Sequence, residues 1–222
     1  IAFLKNTYFT INSKTYKIGL IEFNKKHKNK FLINNLKTPN INIDKIFISN
    51  NDINLNIQAS GKKIDLSSIN ENLRNQDNLT KDIIFDLTAD LIKLNSKISL
   101  TGNIKGVKKG SSFKSVAYGK ILLGGTSLLD NGKFDIHSDS KMSRLEGIGL
   151  VGGAETKINF QKKVNNFPSL IFDTSNGGEL LSALGFTKNI KSGDMKINIK
   201  FLNDEYDHYE GLIKSKKFSI IN

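Results

Sequence analysis

The chain has 222 residues, 38% of them hydrophobic, and no cysteine, which excludes disulfide scaffolds, thiol catalysis and cysteine-based zinc sites. Its length suffices for one large β domain or two small ones. The formal net charge is +12, but only two of the 33 basic residues, Arg74 and Arg144, are arginines. Because arginine is favoured for bidentate contacts to bases and phosphates, we expect no nucleic-acid partner.

Period-two alternation of apolar and polar residues is the main pattern along the chain. Residues 53–57 alternate isoleucine and leucine with asparagine, which indicates a strand with one apolar face and one wet face. The pattern recurs at 85–91, 98–104 and 195–201. Further strands are predicted at 7–11, 14–23, 41–48, 115–123, 133–137, 145–151, 156–160, 168–173 and 208–214.

Short polar connections separate the predicted strands. Asn131-Gly132 predicts a hairpin turn, since both residues tolerate positive φ. The lysine-rich run 25–30 is interpreted as a solvated hairpin tip, with contact to anionic lipid headgroups as the alternative. The pattern favours an all-β fold, mainly antiparallel, built as a meander.

Two short helices are predicted to interrupt the strands. The first covers 65–73, with Asp65 as its N-cap and apolar side chains at helical spacing. The second begins at Asn176 and ends at Gly185, a residue type suited to the left-handed position after a helix. Its apolar stripe consists of Leu180, Leu181 and Leu184.

No set of residues assembles a catalytic or metal site in the sequence. The three histidines, His27, His137 and His208, lie far apart, and none has a second ligand at metal-binding spacing. The glycine-rich run 147–153 lacks the Gly-Lys-Ser/Thr of a phosphate loop, and the acidic run 204–208 is interpreted as a hairpin tip. We therefore predict a protein that is not an enzyme and that needs no cofactor or metal.

One segment carries a more specific pattern. Phe172 to Gly185, FDTSNGGELLSALG, joins a strand to a helix of the form Asn-x-Gly-x-Leu-Leu-x-Ala-Leu-Gly. The runs 190–195 and 211–218 follow it, each with a glycine beside strand-like residues. In order and spacing, residues 168–222 resemble the C-terminal region of AsmA-like bacterial envelope proteins of the YhdP/TamB type. Ser182 departs from the family, in which this position is usually arginine.

The resemblance implies an extended, curved, taco-like sheet with an apolar inner groove. It also implies a periplasmic protein, anchored in the inner membrane, that binds or conducts phospholipid towards the outer membrane. Its partners would be phospholipid acyl chains and other envelope proteins. We expect residues 1–222 to be one segment of such a protein. No apolar run reaches the roughly 20 residues of a membrane span, so the anchor is expected outside the segment.

The expected groove residues are the apolar members of the alternating strands. They are Ile53, Leu55, Ile57, Phe85, Leu87, Ala89, Leu91, Ile98, Leu100, Met195, Ile197 and Ile199. The residues of the family-type helix are Asn176, Gly178, Leu180, Leu181, Leu184 and Gly185. The alternative function is a structural or assembly module for outer-membrane biogenesis that carries no lipid. An open apolar groove favours lipid binding, and a closed core between two sheets favours the alternative.

Overall fold

The computed structural model describes residues 2–11, 14–23, 30–38, 41–66, 81–94, 98–191, 193–203, 208–217 and 219–220. The chain divides into two compact units, Ile1–Ser111 (unit 1) and Ser112–Asn222 (unit 2). Strands make up 76% of the structure and most neighbours are antiparallel, which confirms the predicted fold class.

Unit 1 is a sheet whose strands lie side by side in chain order. They are β1 (Ala2–Ile11), β2 (Lys14–Phe23), β3 (Lys30–Lys37), β4 (Asn42–Asn50), β5 (Asn54–Asp65), β6 (Asp82–Lys93) and β7 (Ile98–Lys109). Strands β5 and β6 run parallel, with Ala59 beside Leu87, whereas the other neighbours are antiparallel. This pair is the exception to the antiparallel meander, within a sheet that is mainly antiparallel as predicted. Parallel neighbours need a crossover, which residues 66–81 supply.

Asp65, the predicted N-cap of the first helix, is the last residue of β5. Its side chain is 5% exposed, and its carboxylate lies 3.8 Å from the Nζ of Lys93, its neighbour across the parallel pair. Residues 67–73 of the predicted helix lie outside the described part of the chain, as do most of the lysine-rich run (25–29) and of the acidic run (204–207).

Unit 2 is an antiparallel sheet in the order β8-β9-β10-β11-β12-β14-β15. Its strands are β8 (Ser112–Leu123), β9 (Thr126–Ser138), β10 (Met142–Val151), β11 (Ala154–Lys163), β12 (Ser169–Thr174), β14 (Asp194–Phe201) and β15 (Tyr209–Lys216). Helix α1 (Gly177–Ala183) follows β12, and β13 (Ile190–Lys191) pairs with β16 (Ser219–Ile220) as a separate ribbon. The second predicted helix is thus confirmed.

Asn131 and Gly132 lie inside β9 and form no hairpin turn, contrary to prediction. Asn131 and Gly132 of β9 lie opposite a single residue of β10, Gly149. Asn131 has a φ of 49°. This is a β-bulge, which uses the same tolerance of positive φ that a hairpin turn would use. The tight turns fall instead at Gly124-Gly125 and Gly152-Gly153.

A line of backbone irregularities crosses unit 1 at one level of its strands. Asn6 and Asn35 have positive φ, the register shifts beside Asp44, and it shifts again after Ala89. We call this level the crease row; it consists of Asn6, Gly19, Asn35, Asp44, Gly61, Ala89 and Gly102. In β4 and β6 the alternation changes phase at this level, because an extra residue turns the following side chains over.

The phase change in β6 alters the position expected for one predicted groove residue, Leu91. Phe85, Leu87 and Ala89 are all buried, as alternation requires. After the bulge, Ile92 is fully buried whereas Leu91 is only half-buried. The prediction that Leu91 continues the face of Phe85, Leu87 and Ala89 is therefore wrong, and Ile92 takes that place.

Candidate apolar binding face

The apolar side chains of unit 1 form continuous lines across neighbouring strands. Ile46 pairs with Ala59, Ala59 with Leu87, and Leu87 with Ile104, so the four lie on one face of the sheet. All four are buried. We call this line the deep row of unit 1.

A second line runs beside the deep row, two residues further along each strand. Phe31 pairs with Ile48 and Ile48 with Ile57, and all three side chains are half-buried. Ile57 in turn neighbours the buried Phe85. We call Phe31, Ile48 and Ile57 the shallow row of unit 1, because solvent or a ligand can still reach it.

Unit 2 repeats this arrangement on its own apolar face. Its deep row is buried and consists of Phe134, Ile158, Phe172 and Ile197. Its shallow row is half-buried and consists of Ile136, Leu145, Phe160 and Leu170. At about 4.8 Å between strands, the shallow row is roughly 14 Å long.

Helix α1 closes one end of the apolar face of unit 2. A Cβ at Gly177 would lie 2.5 Å from the Cβ of Met195, so the helix sits directly on that side chain. Leu180 and Leu181 are buried beneath the helix. Met195, Ile197 and Ile199 are buried at alternate positions of β14, so the helix covers the Met195 end of their shared face.

The signature residues of α1 have local structural roles. The Asn176 side chain accepts a hydrogen bond from the backbone N–H of Glu179 at 3.4 Å, the geometry of an N-cap. A Cβ at Gly178 would collide with the carbonyl oxygen of Ile190, so only glycine fits. Gly185 has a φ of 80° and ends the helix in the left-handed region. Leu184 is half-buried.

The structure separates the predicted groove residues into three groups. The buried ones are Phe85, Leu87, Ala89, Leu100, Met195, Ile197 and Ile199. The half-buried ones are Leu55, Ile57, Leu91 and Ile98. Ile53 precedes β5 and is 71% exposed, so it does not share the face of Leu55 and Ile57. Ile57 is thus the predicted residue that falls on a shallow row.

Most shallow-row residues were absent from the predicted set. Leu145, Phe160 and Leu170 lie within predicted strands, so their burial on one face was foreseeable. Their alignment into a single line depends on the register of the neighbouring strands. Strand alternation in one sequence does not carry that register.

Polar groups on the apolar face of unit 2 stand at its borders. The Thr156 hydroxyl donates to the Thr174 hydroxyl at 2.8 Å, with both side chains buried. Ser115, paired with Ile136 at one end of the shallow row, is 6% exposed, and its hydroxyl has no hydrogen-bond partner within the described residues. An unpaired buried hydroxyl is unfavourable, so Ser115 lowers the stability of this border of the face.

Among the groups with a resolved pKa shift, Asp130 and Asp139 both have a lowered pKa, and both lie away from this face. The ammonium of Lys120, 2.9 Å from Asp130, lowers the pKa of that carboxyl. Backbone N–H donation from Lys141, followed by the contact with His137, lowers the pKa of Asp139. Both acids lie at ends of strand pairs, which indicates structural roles.

Among the residues that the structure describes, no group of three or more His, Cys, Asp or Glu could hold a metal ion. In the same ranges, no helix has the length and hydropathy to cross a membrane. Comparisons with protein-family models, curated proteins and solved structures find no match to this chain. The AsmA-like resemblance thus rests on the residues of 168–222 themselves.

Proposed function

We propose that the chain is a non-enzymatic envelope protein that binds phospholipid acyl chains along the shallow rows of its apolar faces. The observation that carries this proposal is the half-buried line of Ile136, Leu145, Phe160 and Leu170. An acyl chain needs apolar contact and no hydrogen bond. Each Å² of apolar surface that it removes from water stabilises the complex by about 25 cal/mol.

The geometry of unit 2 favours a lipid that lies across the strands. Helix α1 blocks passage along the strands at the Met195 end, whereas the shallow row stays apolar from one strand to the next. Placement in the periplasm, on an inner-membrane anchor outside residues 1–222, is part of the proposal and rests on the resemblance of 168–222.

The second candidate function is a structural or assembly module for outer-membrane biogenesis that carries no lipid. The burial of Phe85, Leu87, Leu100 and Ile197 favours it, because side chains this buried already fill their surroundings. Under this alternative the shallow rows are the margins of a packed core.

Adjacent positions on β12 provide the test. Leu170 belongs to the shallow row, and Ile171, also half-buried, points to the opposite face between Asn159 and Asn198. We would place a photo-crosslinking phenylalanine analogue at each position in the full chain and add phospholipid vesicles. Crosslinking to lipid from 170 and not from 171 is expected.

A charge at the same positions gives the complementary measurement. Leu170→Asp is expected to reduce the co-purified phospholipid seen by mass spectrometry, and Ile171→Asp is expected to leave it unchanged. Equal crosslinking from both positions, or reproducible absence of lipid from the unmodified chain, would favour the structural module.

A further inference from the structure

A cavity of about 690 Å³ lies in unit 1, with Leu32, Phe47 and Gln58 from the face opposite the deep row, and with Ala59 of the deep row and Phe31 of the shallow row at its border. Its lining comes from β2 to β6 and consists of Glu22, Lys30, Phe31, Leu32, Lys45, Phe47, Gln58, Ala59, Ser60, Asp86 and Thr88. None of the predicted groove residues lines it. Its volume is within the roughly 300–1,000 Å³ of small-molecule sites.

The cavity contains an apolar pair in a polar frame. Leu32 and Phe47 are direct partners across β3 and β4, and both are half-buried. Glu22 flanks the pair on one side and Gln58 on the other. A flat apolar group laid on Leu32 and Phe47 would remove from water the exposed apolar surface of both side chains.

The charges in the cavity favour an anion. Asp86 is already engaged, since Lys105 lies 3.0 Å from its carboxylate and the Asn103 amide donates to it at 2.7 Å. Within the described residues, neither Lys30 nor Lys45 forms an ion pair, and both are exposed. Glu22 offsets only one of these two ammonium groups.

We propose that this cavity is a binding site for a small organic anion with an apolar ring, such as an aromatic carboxylate. The ring lies on Leu32 and Phe47, and the carboxylate receives a charge-assisted hydrogen bond from Lys45. Gln58 and Ser60 supply neutral polar contacts at the rim. The inference is distinct from lipid binding, because the proposed ring contacts, Leu32 and Phe47, lie on the face of the sheet opposite Ile48 and Ile57 of the shallow row.

Amide NMR on the full chain tests the site with benzoate as the probe. We expect saturable shifts at the amides of Leu32, Phe47 and Gln58, and an affinity that falls as salt increases. Lys45→Gln should weaken binding at least three-fold. Lys62→Gln is the control, since Lys62 is an exposed lysine of β5 that does not line the cavity, and it should leave the affinity unchanged.

Related probes separate the two parts of the proposal. Benzylammonium, which has the ring and the opposite charge, and acetate, which has the charge without the ring, should each bind more weakly than benzoate. Equal binding of benzylammonium, or no effect of Lys45→Gln, would overturn the anion site. Equal binding of acetate, or tighter binding of octanoate, would contradict the proposal that the site binds an aromatic ring.

Discussion

Gly61 lies so close to Ile43 on the neighbouring strand that a Cβ at Gly61 would be 2.6 Å from the Ile43 Cα. The same Cβ would lie 2.6 Å from the carbonyl oxygen of Asn42. Both obstacles are backbone atoms, so relief requires the strands β4 and β5 to separate. Glycine is needed here for space, at the level where the crease row crosses the sheet.

Gly61→Ala should lower the free energy of unfolding by about 1–3 kcal/mol, the usual effect of forcing an extra carbon into a packed site. Urea denaturation followed by circular dichroism measures the change. Gly211→Ala is the control, because no atom lies within 4 Å of a Cβ there, and its effect should stay within about 0.5 kcal/mol. Equal effects of the two variants would contradict the steric argument.

Leu87→Asp should unfold unit 1, because Leu87 is 7% exposed and an unpaired carboxylate in apolar surroundings costs several kcal/mol. Thr88→Asp is the matched control on the exposed face of the same strand, and it should melt close to the unmodified chain. Thermal melting compares the two. A folded Leu87→Asp protein would mean that water reaches the deep row, and lipid crosslinking would then be measured on it directly.

Asn176→Ala should destabilise unit 2 by about 1 kcal/mol, because the backbone N–H of Glu179 loses its acceptor. Asn176→Asp keeps an acceptor and adds a negative charge at the helix N-terminus, so it should be neutral or stabilising. Chemical denaturation of the three proteins gives the comparison. If the alanine and aspartate variants lose equal stability, the capping role of Asn176 is excluded.

Asp139 should titrate below its usual pKa of 3.8, because its carboxylate accepts from the backbone N–H groups of Lys141 at 2.8 Å and Met142 at 2.9 Å. With the folded pKa below the unfolded one, its stabilisation is complete above the unfolded pKa. That stabilisation is lost as pH falls through the folded pKa. Carboxyl NMR should therefore give a midpoint under 3.8.

Asp139→Asn is the control for this titration, since the amide oxygen can still accept both hydrogen bonds but carries no titrating charge. It should remove this contribution to the acid dependence of stability while leaving the turn intact. A midpoint at or above 3.8 in the unmodified chain would contradict the hydrogen-bonding explanation.

Alternation in the sequence predicted where strands lie more reliably than which strands pair. In 195–201 the alternation of apolar and lysine or asparagine side chains matches β14, because one face of that strand is buried. The parallel pairing of β5 with β6 left no such signal, since a strand alternates in the same way beside either kind of neighbour. The ion pair between the buried Asp65 and Lys93 left no signal either, because it depends on the same parallel pairing.

The candidate site was only partly predictable. Alternation placed Ile57 on the apolar face of its strand, whereas its place in the shallow row depends on the register between β4 and β5. It failed at Leu91, where a bulge changes the phase, and at Ile53, which lies outside the strand. Asn131-Gly132 shows the same ambiguity in the backbone, because positive φ suits a bulge as well as a turn.

The parallel pairing of β5 with β6 also sets a kinetic constraint on unit 1. The strands β1 to β5 meet through short connections and can assemble locally, as can β6 with β7. Joining the two sets closes the connection 66–81, which costs conformational entropy of the chain. That cost comes before contacts such as the one between Ala59 and Leu87 can form and offset it. We therefore expect this junction to limit the refolding rate, with substitutions there slowing folding and substitutions in β1 mainly accelerating unfolding.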